Sequence, residues 1–125
     1  MEWKIDNNKP VYIQLVEQLK VKIISGEIEL DSKLDSVRSL AADAMVNPNT
    51  MQKALAELER MGLVYSQRTS GRFVTEDEGR IQEMKRETAR ETIQTFLQQM
   101  KNMGFEKEEI IDLIREDKEG ACHEQ

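Results

Sequence analysis

Residues 47–62, NPNTMQKALAELERMG, constrain the fold of this chain more than any other stretch. They describe one short helix with a marked start and stop. Asn47 suits the N-cap, because its side-chain oxygen can accept a free amide hydrogen of the first turn. Pro48 suits the first helical position, where its missing N–H is not needed. Gly62 stands where the helix should end in a positive φ. Between them Met51, Ala54, Leu55, Leu58 and Met61 recur at three- and four-residue steps as one apolar stripe. The opposite face of the first two turns carries Asn49, Thr50, Gln52 and Lys53. An amide offers a donor and an acceptor side by side, as a base edge requires, and a lysine suits a phosphate. Surface helices commonly carry a solvated polar face, so the flanking segments have to decide between the two readings.

Upstream, Trp3 to Ile5 reads as a short extended segment, and Asp6-Asn7-Asn8 as a turn. Pro10 opens a helix to about Ser25, with Val11, Leu15, Val16, Leu19, Ile23 and Ile24 as its apolar face and Tyr12 as a core aromatic with its hydroxyl at the edge. Residues 26–35 form a connector anchored by Ile28, Leu30 and Leu34. A second short helix begins at Asp35 or Ser36, turns Val37, Leu40, Ala41 and Ala44 inward, and points Arg38 outward. The planar five-donor fork of an arginine suits a phosphate or a guanine, although an ordinary surface arginine looks the same in sequence. Two short helices joined by about three residues, the second polar at its start, make a helix-turn-helix.

After Gly62 the apolar period changes from helical to two. Residues 63–67 and 72–75 read as paired strands around Arg68-Thr69-Ser70-Gly71. A hairpin in this position is a wing, and Arg68, Gly71 and Arg72 suit a backbone or minor-groove contact. The combination is far more specific than any of its parts.

Residues 77–125 differ in character. A proline-free stretch from about Glu78 to Met103 aligns Ile81, Met84, Ala89, Ile93, Phe96, Leu97, Met100 and Met103 in a long stripe, and Gly104 breaks it. A second helix, from about Glu106 to Asp117, turns Ile110, Ile111 and Ile114 to one side with Leu113 beside them. Two such helices cannot bury their apolar faces on each other alone. A second copy of the chain is the simplest partner, although packing back on the winged domain is the alternative. The residues expected to serve dimerisation are Ile81, Ile93, Phe96, Leu97, Met100, Phe105, Ile110, Ile111 and Ile114. The expected architecture is mainly α with a small β-hairpin. A winged helix-turn-helix domain occupies 1–76 and a two-helix dimerisation segment with a frayed tail occupies 77–125.

Charge supports this division. The net charge of −6 looks wrong for a nucleic-acid binder, yet residues 1–75 hold ten basic and ten acidic side chains, and the whole excess lies in 76–125. No apolar run approaches a membrane span, and the start MEWKIDNNKP lacks the apolar core of a secretory leader, so no membrane partner is expected. The one cysteine, Cys122, excludes a disulfide framework and fits a cytoplasmic setting. With the one histidine, His123, beside it in a polar tail, no metal site and no cofactor is expected. No nucleophile–base pair or glycine-rich phosphate loop is present, and the acidic pairs Glu57/Glu59 and Glu108/Glu109 read as solvated helix charges, so an enzyme is not expected.

The runs PVYIQL (10–15), SGEI (25–28), Lys33-Leu34 and SVRSLA (36–41) resemble the N-terminal domain of GntR-type bacterial transcription regulators. VNPNTMQKA (46–54), LERMGLVY (58–65) and GRFV (71–74) are closer to its YtrA-like branch. The resemblance is dense over residues 10–75. It implies that Arg38, Asn47, Asn49, Thr50 and Gln52 contact operator DNA from the helix-turn-helix, with Ser36 and Lys53 beside them, and that Arg68, Gly71 and Arg72 do so from the wing. The chain departs from the family pattern at Leu30-Asp31, where Pro-Gly is usual, at Asp35, where proline is usual, and at Met45, where glycine is usual. These changes weaken the turns and add acids near the second helix. The expected function is a homodimeric, sequence-specific regulator of double-stranded DNA, most simply a repressor at a pseudo-palindromic operator. Any small-molecule effector is unidentified and would have to act through residues 75–80. The competing reading is a winged-helix protein-docking module without specific DNA binding.

Overall fold

A computed structural model describes residues 1–117, so Cys122 and His123 lie outside the described residues. Element order is α1 (Val11–Ile24), α2 (Val37–Ala44), α3 (Pro48–Arg60), β1 (Val64–Gln67), β2 (Gly71–Val74), α4 (Glu78–Asn102) and α5 (Lys107–Glu116). The chain is mainly α-helical with one small antiparallel hairpin. It divides by contact into two units, the first Met1–Lys85 and the second beginning at Arg86.

In the first unit α1, α2 and α3 enclose the core. Leu15, Leu19, Met51, Ala54, Leu58, Leu63 and Val74 have no exposed surface. Each fully buried side chain of the larger kinds contributes about 1.5–3 kcal/mol relative to exposure. Trp3, Ile5, Val11, Tyr12, Ile28 and Leu30 pack half-buried around them. The extended start is fastened to α1 by two glutamines. Gln14 accepts from the Asp6 N–H and donates to the Asp6 carbonyl, both at 2.8 Å. Gln18 does the same for Lys4 at 3.0 and 2.8 Å. Their amides supply what a neighbouring strand would otherwise give to these backbone groups. Trp3 Nε1 donates to Asp43 at 2.9 Å, and that indole hydrogen bond holds the Asp43 carboxyl below its ordinary pKa.

The helix-turn-helix forms as its caps require. Ser36 Oγ accepts the Ser39 N–H at 3.1 Å to start α2, and Asn47 Oδ1 accepts the Asn49 N–H at 2.7 Å to start α3, with Pro48 in the first turn. Met45 ends α2 in the left-handed region, with φ +60° and ψ +47°. The turn that glycine usually makes is therefore kept, and Met45 carries its strain. Gly62 ends α3 with φ +82°.

The wing pairs Val64 with Val74, Tyr65 with Phe73, Ser66 with Arg72 and Gln67 with Gly71. Beyond the apolar anchoring expected of it, the connector adds a rudimentary third strand to the wing. Asp31 N–H reaches Val74 O at 3.0 Å, Val74 N–H reaches Ser32 O at 2.9 Å, and Leu34 N–H reaches Arg72 O at 2.9 Å. Lys33 bridges Phe73. A lone hairpin is marginal in water, so this extra edge and the packing beneath it matter.

The first unit runs past the boundary expected at 76/77, because Ile81 and Met84, on the opening turns of α4, are only 6% exposed and belong to its core. Ile81, expected on the dimerisation stripe, is thus committed inside the winged unit. Arg80 secures the same junction: its Nε donates to Met61 O at 2.9 Å, where the carbonyls at the end of α3 favour a cation.

In the second unit α4 ends through bonds from Gly104 N–H to Lys101 O and from Phe105 N–H to Met100 O, at 2.9 and 3.1 Å. The Glu106 N–H donates to Glu109 Oε1 at 2.9 Å as α5 begins. Ile110 is 1% exposed, so it is already buried within the single chain. Leu97, Met100 and Phe105 are half-buried, whereas Ile93, Phe96, Ile111, Leu113 and Ile114 remain exposed.

Candidate nucleic-acid interface

The exposed face of α3 presents Asn49, Gln52 and Lys53 to solvent, with Thr50 half-buried beside them. The buried stripe of Met51, Ala54, Leu55 and Leu58 sets this rotation, because residues at three- and four-residue steps share a face. Arg38 is exposed on the second residue of α2. Ser36 and Asn47 are exposed as well, but each has its side-chain oxygen engaged as a helix cap. Their structural duty comes first, and their remaining donors are what they can offer a ligand.

Arg68 and Gly71 flank the wing turn and are exposed, and Gly71 takes φ +103°. Arg72 is placed differently. Its side chain is 21% exposed and its Nε lies 3.8 Å from Glu59 Oε1 on α3. A cleft of about 660 Å³ opens between the wing turn and the start of α2, lined by Lys33, Asp35, Ser36, Thr69, Gly71 and Arg72 among others. Lys33 is not among the contact residues that the family resemblance implies. The burial of its neighbour Leu34 (6% exposed) in an extended segment, where alternate side chains face opposite ways, is the signal that turns it outward.

Ion pairing sorts the cations of this unit by position. Lys9, Lys20, Lys22, Arg60, Arg72 and Arg80 each have a carboxylate within 4.0 Å. Glu57 and Arg60 are hydrogen-bonded, which holds the carboxyl below its ordinary pKa and raises that of the guanidinium. Among the described residues Lys33, Arg38, Lys53 and Arg68 have no such partner, and of the other cations of the unit only Lys4 and Lys85 share this. The uncompensated charge therefore collects on α2, α3, the wing turn and the strand beside it. Asp35 is the acid that lines the cleft with Lys33 and Arg72. Among the described residues no cluster of His, Cys, Asp or Glu can hold a metal ion. No described helix is long and apolar enough to cross a membrane.

A capped helix-turn-helix with amides and an unpaired lysine on its second helix and an unpaired arginine on its first, followed by a basic-tipped hairpin, defines a winged-helix DNA-binding domain. Residues 11–74 match the family model described as bacterial regulatory proteins, gntR family, and the chain belongs to that family of helix-turn-helix transcriptional regulators. It is 36% identical over 121 residues to the uncharacterized HTH-type transcriptional regulator YhcF of Bacillus subtilis, covering 97% of this chain and 100% of that one. It is 32% identical over 111 residues to the HTH-type transcriptional repressor YtrA of the same organism, covering 88% and 85%. Among solved structures, a GntR family transcriptional regulator from Listeria monocytogenes superposes with a TM-score of 0.83 at 38% identity, over 89% of this chain and 97% of that one. The family consists of DNA-binding regulators, and the chain is a DNA-binding transcription factor and not an enzyme.

Proposed function

We propose that the chain is a YtrA-like repressor that reads a pseudo-palindromic operator as a homodimer in the cytoplasm. The observation that carries the reading is the concentration of unpaired cations on the α2–α3–wing surface, where a phosphate backbone would supply the missing countercharge. Asn49 and Gln52 are exposed on α3 beside Lys53, with amides suited to adenine edges, and Arg38 has the fork that suits guanine. Likeness to a repressor along most of both chains supports the sign of regulation and the branch. The exposed apolar side chains of the second unit support a self-partner, Ile93 and Ile114 being 54% and 58% exposed in the single chain. Two copies would set their α3 helices in successive major grooves, about 34–36 Å apart.

The test is titration of a high-affinity duplex with the wild-type chain and three variants at several salt concentrations. Arg38→Ala and Gln52→Ala should each weaken specific binding by about 1–3 kcal/mol without changing the melting curve. Lys53→Ala should weaken all duplexes alike and reduce the salt slope by about 0.9. Unchanged affinity in both Arg38→Ala and Gln52→Ala would remove the reading surface from α2 and α3.

A further inference from the structure

Glu59 lies in the last turn of α3, and its Oε1 holds both strands of the wing. It accepts the Ser66 hydroxyl of β1 at 3.0 Å and lies 3.8 Å from Arg72 Nε of β2. Ser66 and Arg72 are direct cross-strand partners, so one carboxylate oxygen meets the hairpin at a single rung. Arg72 Nε is covered from solvent and has no hydrogen-bond partner, which leaves Glu59 as the charge beside it. Arg60 makes the contrast within the same helix turn, its side chain being 72% exposed against 21% for Arg72.

We propose that Glu59 is a positioning residue that fixes the wing against α3, and that Arg72 is its brace and not a contact to DNA. The geometry divides the wing arginines by task. Arg68, exposed and unpaired, is left to meet a phosphate, while Arg72 sets where Arg68 and Gly71 stand. A covered guanidinium nitrogen with one nearby countercharge is costly to strip of that charge, because the cation is then left uncompensated. A two-stranded hairpin has little rigidity of its own, so an anchor one rung from its turn end decides its angle to the reading helix. This assignment rests on the DNA-binding reading above for its effect on affinity, but not for its effect on the wing itself.

Two measurements on the full chain test it. In the first, wild type, Glu59→Gln, Arg72→Gln, Arg68→Gln and the exchange Glu59→Arg/Arg72→Glu are titrated on one selected duplex across salt concentrations, with hydroxyl-radical footprints. Glu59→Gln and Arg72→Gln should each lower affinity about fivefold with the salt slope unchanged, and should weaken protection in the flanks while keeping it at the centre. The exchange should restore affinity to within about twofold. Arg68→Gln should reduce the slope by about 0.9. The proposal is overturned if Arg72→Gln reduces the slope by that amount while Glu59→Gln binds as tightly as wild type or more tightly, or if the exchange rescues nothing. The second measurement is amide hydrogen exchange over residues 64–74 without DNA. It should accelerate severalfold in both single variants and return in the exchange. Unaltered wing protection overturns the brace even if the wild-type chain selects no duplex, an outcome that would refute the DNA-binding reading separately.

Discussion

Asp31 stands in the left-handed region at φ +60° and accepts the Tyr65 hydroxyl through its Oδ1 at 2.7 Å, tying the connector to the first strand of the wing. Tyr65 in turn stacks on Phe73, with ring centroids 5.6 Å apart. The position usually filled by glycine in this family is thus held by a residue that tolerates the backbone and contributes a side-chain bond.

Substitutions at Asp31 separate those two roles. Asp31→Asn should be nearly neutral, since asparagine keeps an acceptor and also tolerates left-handed φ. Asp31→Gly should lose only the bond. Asp31→Ala should lose the bond and also incur the left-handed penalty, so it should fall below Asp31→Gly by about 1–2 kcal/mol in urea unfolding.

The hydrogen bond to Asp31 raises the pKa of Tyr65 above its ordinary value, with burial as a second cause. The neutral phenol is the form favoured in the folded chain. Its stabilisation is therefore present below the unfolded tyrosine pKa of about 10 and is lost as pH rises through the higher folded value. The stability difference between wild type and Tyr65→Phe should be clear at neutral pH and shrink above that window. A difference that grows with alkali would contradict the assignment.

Met45 gives the converse case. It has the same positive φ, is 87% exposed and makes no side-chain bond that would be lost on truncation. Met45→Gly should stabilise the chain by about 1 kcal/mol and raise Tm by about 4 °C, with DNA affinity unchanged.

The helical C-terminal stripe divides at the end of the first unit. Ile81→Ala should cost about 2–5 kcal/mol of winged-unit stability and leave self-association unaltered, because Ile81 is packed in that core. Ile93→Glu and Ile114→Glu should leave the monomer fold intact and shift the chain to monomer in sedimentation, since both side chains face solvent in the single chain. Association that survives both changes would place the self-contact elsewhere.

The local code of this chain is strong where caps and period agree. Asn47, Pro48 and Gly62 bound α3 as expected, and the change of period after Gly62 marks the wing. What could not be read was long-range. Nothing in the stretch around Glu59 distinguishes a solvated helix charge from an anchor for Ser66 and Arg72, because the partners lie across a turn whose angle the local pattern does not determine. Ile81 fits the stripe of α4 equally well as core or as partner surface, since periodicity gives a face and not what covers it. Third-strand pairing by residues 31–34 was hidden for the same reason: Ser32, on the face shared by Leu30 and Leu34, interrupts the apolar alternation that announces a strand.

Selection of bound duplexes from a random pool, followed by titration of the winners between about 50 and 200 mM salt, tests the dimeric DNA reader most directly. The expected result is an enriched inverted repeat with half-site centres about one helical turn apart and an affinity that falls steeply with salt. Diffuse binding with no repeat and little salt dependence would contradict it, and would turn the same surface into a docking face for protein.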